Sequence, residues 1–222
     1  MYMCYNFKMK KFKFNKTNIY VSEKSDGNFR DRKNLERVKK ELNLKEIFLP
    51  NQKHTNIILS YDEDLTQPSD GVYTDKPAAA VGVLTADCIP LVLFNDNEIS
   101  VIHAGWRGLL GGIVENAYKK FKDKSNIFAF IGPSIRGCCY EVGFDFINQL
   151  NISSDFFTIS EDKYFVDLNK ILKNKLEKLH VNIVYEIDEC TKCGKNFFSY
   201  RNGNLEERIL TLAFIEGEYG WD

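Results

Sequence analysis

Long apolar runs, an excess of either charge, histidine and proline are what this 222-residue sequence has least of. The longest apolar stretch, Ala78 to Phe94, carries Thr85, Asp87, Cys88 and Pro90 in its middle. It is too short and too polar to span a bilayer. Lys and Arg number 30 against 31 Asp and Glu, a net charge of −1. No electrostatic argument therefore favours nucleic acid or an anionic membrane as partner. The N-terminal MYMCYNFKMKKFKFNK lacks the continuous apolar core and small-residue cleavage site of a signal peptide. A cytoplasmic, reducing location is the expectation. The six cysteines (Cys4, Cys88, Cys138, Cys139, Cys190 and Cys193) then read as thiols or metal ligands before disulfides. With five prolines in all, there is no linker rich in Pro or Ser, and no repeat or low-complexity tract is visible.

What is present is globular, at 44% hydrophobic and 14% aromatic residues. A chain of this length buries roughly 70% of its unfolded surface and needs no disulfide or metal staple. One domain over residues 1–222 is expected, as a monomer or homodimer. Alternation predicts two short strands over Phe7–Val21, and apolar spacing predicts a helix over Asn34–Leu44. A short strand follows at Ile47–Leu49. Turn chemistry marks Tyr61–Asp75 as a surface loop, with Asp70 and Asp75 as turn residues. Ala80–Phe94 reads as two strand pieces around TADC, and Ile99–His103 as a buried strand. One helix is predicted over Trp106–Phe121, a strand over Ile127–Ile131, and a helix capped by Asp167 running to Leu179. Val181–Ile187, Phe197–Tyr200 and Arg208–Ile215 complete the strands. Strands and helices mix without regular βαβ alternation, which makes the fold class α+β: mixed sheets flanked by helices.

Two of the three histidines end strands. His54 lies in NQKHT, and His103 in HAGWRG between a strand and a helix; Cys88 closes TADC after another strand. Three strand ends carrying imidazole or thiolate suit Zn²⁺, with copper as competitor, and leave a fourth position open to water, the catalytic pattern. Spacing alone equally admits hydrogen-bonded histidines and a buried thiol. Gly105 and Gly108, flanking Trp106 and Arg107 at a helix start, favour ligand binding, because small residues let backbone approach and free amides attract an anion. Arg107 would add a charge-assisted phosphate contact; a surface ion pair is its plainer role. Asp87 reads either as an acceptor orienting a histidine and helping proton transfer, or as a carboxylate holding turn amides. C-T-K-C at Cys190 and Cys193 has no second C-x-x-C to complete a zinc site, so it reads as thiols lining a turn. Cys138 and Cys139 cannot both point inward on an extended chain. His180 is expected to meet the dipole at a helix C-terminus.

Four segments together resemble one family: DGVYTDKPAAAVGVLTADCIPLVLF, VIHAGWRGLLGGIVENA, FIGPSIRGCCYEVG and CTKCGKNFFSYR. It is the YfiH family, also called laccase-domain or polyphenol-oxidase proteins, multicopper-oxidase-like purine nucleoside phosphorylases, or peptidoglycan editing factor. The match runs in order from about Asn51 to Phe214, and residues 1–45 carry little of it. The resemblance implies a fold likened to toxin cysteine hydrolases. It implies zinc on His54, Cys88 and His103, and phosphorolysis of adenosine, inosine, guanosine and methylthioadenosine, with adenosine deamination. Cys88, His103 and Asp87 become the catalytic candidates. Arg107 and Arg208 are candidate phosphate contacts, and Tyr140 and Phe198 candidate base-stacking residues. Two alternatives remain: a cysteine amidase editing peptidoglycan precursors, with Cys88 as nucleophile and His103 as base, and a copper-dependent phenol oxidase. Three histidines are too few for a multicopper cluster. Thr55 stands where the family has Gly after the first His, and Glu206-Glu207 precede Arg208 where many members read T-G.

Overall fold

The computed structural model describes residues 8–217, so Cys4 and the expected strand start at Phe7 lie outside the described residues. The chain forms β1 (Lys10–Phe14) and β2 (Thr17–Val21), then α1 (Arg32–Glu41), β3 (Ile47–Phe48), β4 (Ile58–Ser60), β5 (Gly71–Thr74), β6 (Ala80–Thr85), β7 (Ile89–Phe94) and β8 (Ile99–Ala104). It continues with α2 (Trp106–Leu110), α3 (Ile113–Lys120), β9 (Phe128–Ile131), β10 (Glu141–Val142), α4 (Phe144–Gln149), β11 (Phe157–Ser160) and β12 (Lys163–Val166). α5 (Leu168–Lys178), β13 (Asn182–Glu186) and β14 (Ile209–Ile215) follow. Five strands make one sheet in the order β1-β2-β14-β6-β3, and six make a second in the order β13-β9-β7-β8-β5-β4. The remaining three form a small antiparallel sheet, β10-β12-β11. Both large sheets are mixed, since β3–β6, β4–β5 and β9–β13 pair parallel and their other pairs antiparallel.

The inner strands β6, β7, β8 and β14 are buried on both faces, which dictates layers above and below them. In β7, Val92 and Phe94 join Val81 and Val83 of β6 in the core between the sheets. Ile89, Leu91 and Leu93, the alternate residues, face α2, α3 and α5 through Leu109, Ile113, Ala117 and Leu172. On the far side of the five-stranded sheet, Leu210 and Leu212 of β14 meet Val38 of α1. The order of layers is α1, sheet, sheet, helices. Each valine, leucine, isoleucine or phenylalanine so buried contributes roughly 1.5–3 kcal/mol.

Chain crossings between the two large sheets place the site. TADC is the step from β6 in one sheet to β7 in the other, and NQKHT lies on the step from β3 to β4. His103, on β8, has the same parity as Val101 and so faces the gap between the sheets.

Several elements differ from expectation. The region read as one helix over Trp106–Phe121 divides into α2 and α3 at Gly111–Gly112, because Gly112 adopts a left-handed φ of 90°. The expected surface loop before Asp75 contains β5, fully buried between β4 and β8; four residues between turn signals are too few to show periodicity. Phe197–Tyr200 is not a strand. Phe197 is buried, and a 3₁₀ turn begins at Tyr200. α5 begins where expected, with the Asp167 side chain accepting from Lys170 N at 3.0 Å.

Candidate metal centre and active site

His54, Cys88 and His103 come together, with one donor atom from each within 4.8 Å of the other two. His54 Nε2 and Cys88 Sγ are 3.9 Å apart, and the two imidazoles meet edge to face at 4.9 Å between ring centres. Zinc bonds of about 2.3 Å to sulfur and 2.0–2.1 Å to nitrogen, set tetrahedrally, put S and N about 3.5 Å apart. The cluster is therefore a few tenths of an ångström wider than a closed zinc site. Gly105 lies against it. A Cβ there would sit 2.8 Å from His54 Cδ2 and 3.2 Å from Cys88 Sγ, so glycine keeps both side chains in place. Thiolate with two imidazoles suits Zn²⁺ and copper, and the donor set and its glycine cradle fit such an ion.

Asp70 organises this cluster. Its side chain is fully buried, and its Oδ1 accepts from His103 Nδ1 at 2.7 Å and from His54 N at 3.0 Å. Oδ2 accepts from Lys53 N at 3.1 Å, and from Thr55 N and Thr55 Oγ1 at 2.5 and 2.9 Å. One carboxylate thus fixes the His54 loop, whose His54 sits at a left-handed φ of 59°, and fixes the His103 ring so that Nε2 is left for a ligand. Asp70 is far from the surface turn residue expected. Its only signal in sequence is its position one residue before a short strand. Thr55, in place of Gly, adds its hydroxyl to the same carboxylate. Gln52 holds the loop from the other side. Its amide donates to Leu84 O at 2.8 Å and accepts from Leu84 N at 2.9 Å, pinning the loop to β6.

The charges follow from these contacts. Burial pushes the Cys88 thiol up, but the charge on His103 and hydrogen bonds from His103 and His54 outweigh it and hold Cys88 at about 6. Burial likewise works against the His103 cation, yet the Cys88 thiolate and Asp70 raise it to about 9. Asp70 falls to about 2 despite burial, through His103 and the Thr55 amide.

A cavity of about 420 Å³ opens on the cluster, within the size range of small-molecule sites. Cys88, His54, His103, Asp87, Tyr140 and Arg208 line it, as the sequence suggested for a site. Arg30, Gln52, Trp106, Tyr200 and Arg201 line it too, without having stood out in sequence. Arg201 is the most constrained of these. Its N donates to Asp87 Oδ2 at 2.8 Å, its Nη1 to Glu141 O at 2.8 Å, and its guanidinium lies 4.9 Å over the Tyr140 ring. Asp87 adopts a left-handed φ of 86° and also accepts from Thr191 Oγ1 at 2.6 Å, so its carboxylate ties the cavity wall together. Arg208 bonds the carbonyls of Leu205 and Glu207 at 3.0 and 2.7 Å, and Glu206 pairs with Arg30. Two candidates lie elsewhere. Arg107 is exposed and stacks on Trp106 at 4.3 Å from a helix of only five residues. Phe198 packs on the core between the sheets. Gly108 faces protein, since a Cβ there would lie 2.5 Å from Thr55 O.

Residues 9–215 match the family model described as multi-copper polyphenol oxidoreductase laccase. A protein named purine nucleoside phosphorylase from Clostridium acetobutylicum is 32% identical over 220 residues, covering 90% of this chain and 93% of its own. One of the same name from Aquifex aeolicus is 32% identical over 189 residues, covering 82% and 88%. The crystal structure of Neisseria meningitidis protein NMB0706, of the family DUF152, superposes with a TM-score of 0.83 at 25% identity, over 94% of this chain and 99% of that one. The Bacillus licheniformis hypothetical protein YfiH has the same fold, with a TM-score of 0.81 at 22% identity over 96% and 98%. Among the described residues no helix is long and apolar enough to cross a membrane.

Proposed function

The chain belongs to the multi-copper polyphenol oxidoreductase laccase family, with YfiH-type relatives named purine nucleoside phosphorylase, and from that premise we propose that it is a zinc-dependent purine nucleoside phosphorylase. The supporting observation is the His54–Cys88–His103 cluster in the wall of a cavity that Arg30, Arg201 and Arg208 also line. In phosphorolysis a phosphate oxygen bonds to the anomeric carbon of the sugar, the N-glycosidic bond breaks, and the purine leaves with a proton on its ring nitrogen. The three guanidinium groups supply the positive charge that holds phosphate. Arg201 is held by Asp87 and Glu141 before substrate arrives, so little ordering remains to be done. Tyr140, Trp106 and Tyr200 offer aromatic faces to the base. Asp70 keeps His103 Nδ1 protonated and the ring fixed. A zinc ion on His54, Cys88 and His103 would supply Lewis acidity to this cavity. The same proposal covers adenosine, inosine, guanosine and methylthioadenosine as substrates, and deamination of adenosine alongside.

The test is chromatography of adenosine incubated with purified, zinc-loaded protein, with and without phosphate, and with Cys88→Ala as control. Adenine release that needs both phosphate and Cys88 is expected, and inosine among the products would reveal the deaminase side. No turnover of adenosine by zinc-loaded wild type refutes the proposal.

One observation favours a second reading, in which the molecule is a cysteine amidase with a cysteine-hydrolase-type fold. The Cys88 sulfur and a His103 ring nitrogen lie within 4.8 Å of each other, as a nucleophile and its base would. That reading requires metal-free protein to be active, indifferent to chelators, and inactivated by iodoacetamide. Copper at the same cluster would make phenol oxidation a side reaction. His180 lies just past α5 and is not in the cluster, so two histidines serve the site.

A further inference from the structure

Four cysteines outside the cavity also come together. Cys138 and Cys139 lie in the turn after β9, and Cys190 and Cys193 in the loop after β13. Their four sulfurs are all within 4.8 Å of one another, with Cys138 Sγ 3.7 Å from Cys139 Sγ and 3.9 Å from Cys193 Sγ. A disulfide requires about 2.05 Å. Four thiolates about 2.3 Å from one zinc ion form a tetrahedron whose edges are about 3.8 Å. We propose that Cys138, Cys139, Cys190 and Cys193 bind one Zn²⁺ as a closed tetrathiolate site, independent of the His54–Cys88–His103 cluster.

The backbone prepares this arrangement. Gly194 N donates to Cys190 O at 2.8 Å. A Cβ on Gly194 would lie 2.4 Å from that carbonyl oxygen, so only glycine closes the turn that brings Cys193 beside Cys190. The two cysteine-bearing loops are joined by a bridge between Ser134 and Cys190, by Thr191 N to Ser134 O at 3.1 Å, and by the Arg136 guanidinium on Ile187 O at 2.6 Å. Cys138 and Cys139 share a face because they sit in a turn and not on an extended strand, where neighbours alternate.

Binding of a dication would deprotonate the thiol ligands and release their protons. All-sulfur donors exclude Ca²⁺ and Mg²⁺, and a full tetrahedron leaves no open position, so the role is structural. The ion would staple the loop carrying Tyr140 to the loop carrying Thr191, whose hydroxyl holds Asp87.

The experiment uses the full chain carrying Cys88→Ala, which removes a ligand of the other cluster. Expressed with zinc and purified under reducing conditions, it is expected to hold one zinc per chain by elemental analysis. Its Co²⁺ form should show the intense tetrahedral and thiolate charge-transfer bands of an all-sulfur site. Adding Cys193→Ser, at an exposed position, should abolish the spectrum and release the zinc while circular dichroism reports a folded chain. Adding Cys190→Ser should do the same; if that buried change unfolds the chain, the Cys193→Ser result stands alone. Cys88→Ala protein without zinc, with iron in its place, or with a disulfide among these four cysteines on peptide mapping overturns the proposal.

Discussion

Replacing Asp70 with Asn tests how the cluster is held. The carboxylate accepts five hydrogen bonds, two on Oδ1 and three on Oδ2. An amide has one oxygen. If that oxygen faces His103 and His54, the new NH₂ group confronts the amides of Lys53 and Thr55, and two donors lose their acceptor. Each buried donor left unpaired costs about 1–3 kcal/mol. The loop is half-exposed and can turn to water, so the lower end applies and about 2 kcal/mol of folding stability is lost. If the amide is reversed, His103 Nδ1 loses its acceptor and the ring is no longer fixed for metal binding. Loss of such an orienting partner lowers metal affinity by about 10–100-fold, or about 1.4–2.8 kcal/mol. Either orientation weakens the centre. Urea unfolding measures the first effect, and chelator competition for the ion that Cys88→Ala removes measures the second. A folded Asp70→Asn protein with wild-type stability and wild-type zinc affinity would refute the assignment of Asp70 as the organising carboxylate.

Three further predictions follow from single contacts. Gly105→Ala places a methyl group against His54 and Cys88 and should abolish metal at that cluster, whereas Gly143→Ala, which meets nothing within 4 Å, should bind metal normally by elemental analysis. Arg201→Ala should lower kcat/KM for phosphate by about 10–100-fold, the value of a charge-assisted hydrogen bond, while Arg107→Ala, outside the cavity, should leave it unchanged in steady-state kinetics. Glu98 accepts from Tyr73 Oη, Asn95 Nδ2 and the amides of Lys122 and Asp123. These bonds hold its carboxyl below the usual range despite burial. Its contribution is therefore complete above the unfolded value of about 4.3 and is lost as pH falls through the lower folded value. Glu98→Gln should cost about 1–3 kcal/mol at neutral pH, with the gap to wild type closing below about pH 4 in urea titrations; a gap independent of pH would contradict this.

Much of the sheet framework was legible because its inner strands are continuous apolar runs ended by polar punctuation. Leu91, Val92 and Leu93 can only be interior, and Asp167 before an amphipathic stretch can only begin a helix. β5 was hidden by its length and by the turn residues around it. α2 and α3 looked continuous because apolar spacing is indifferent to a break of two glycines. At the site, His54, Cys88 and His103 were visible as unusual residues at strand ends. Their partners were not, since Asp70, Arg30 and Arg201 are of types common in any loop.

Local pattern, then, determined what depends on neighbours in the chain: apolar strands, capped helices, and strand ends bearing soft ligands. It excluded what composition forbids, such as a cluster built on many histidines. Only the tertiary structure decided which strand ends meet. The steps from β3 to β4 and from β6 to β7 carry His54 and Cys88 between two sheets to the end of the gap that His103 faces. Cys138–Cys139 likewise meet Cys190–Cys193 only because β9 and β13 pair in parallel and end side by side. Sequence separation says nothing about such contacts; they are set by which apolar faces must bury one another, a property of the whole chain.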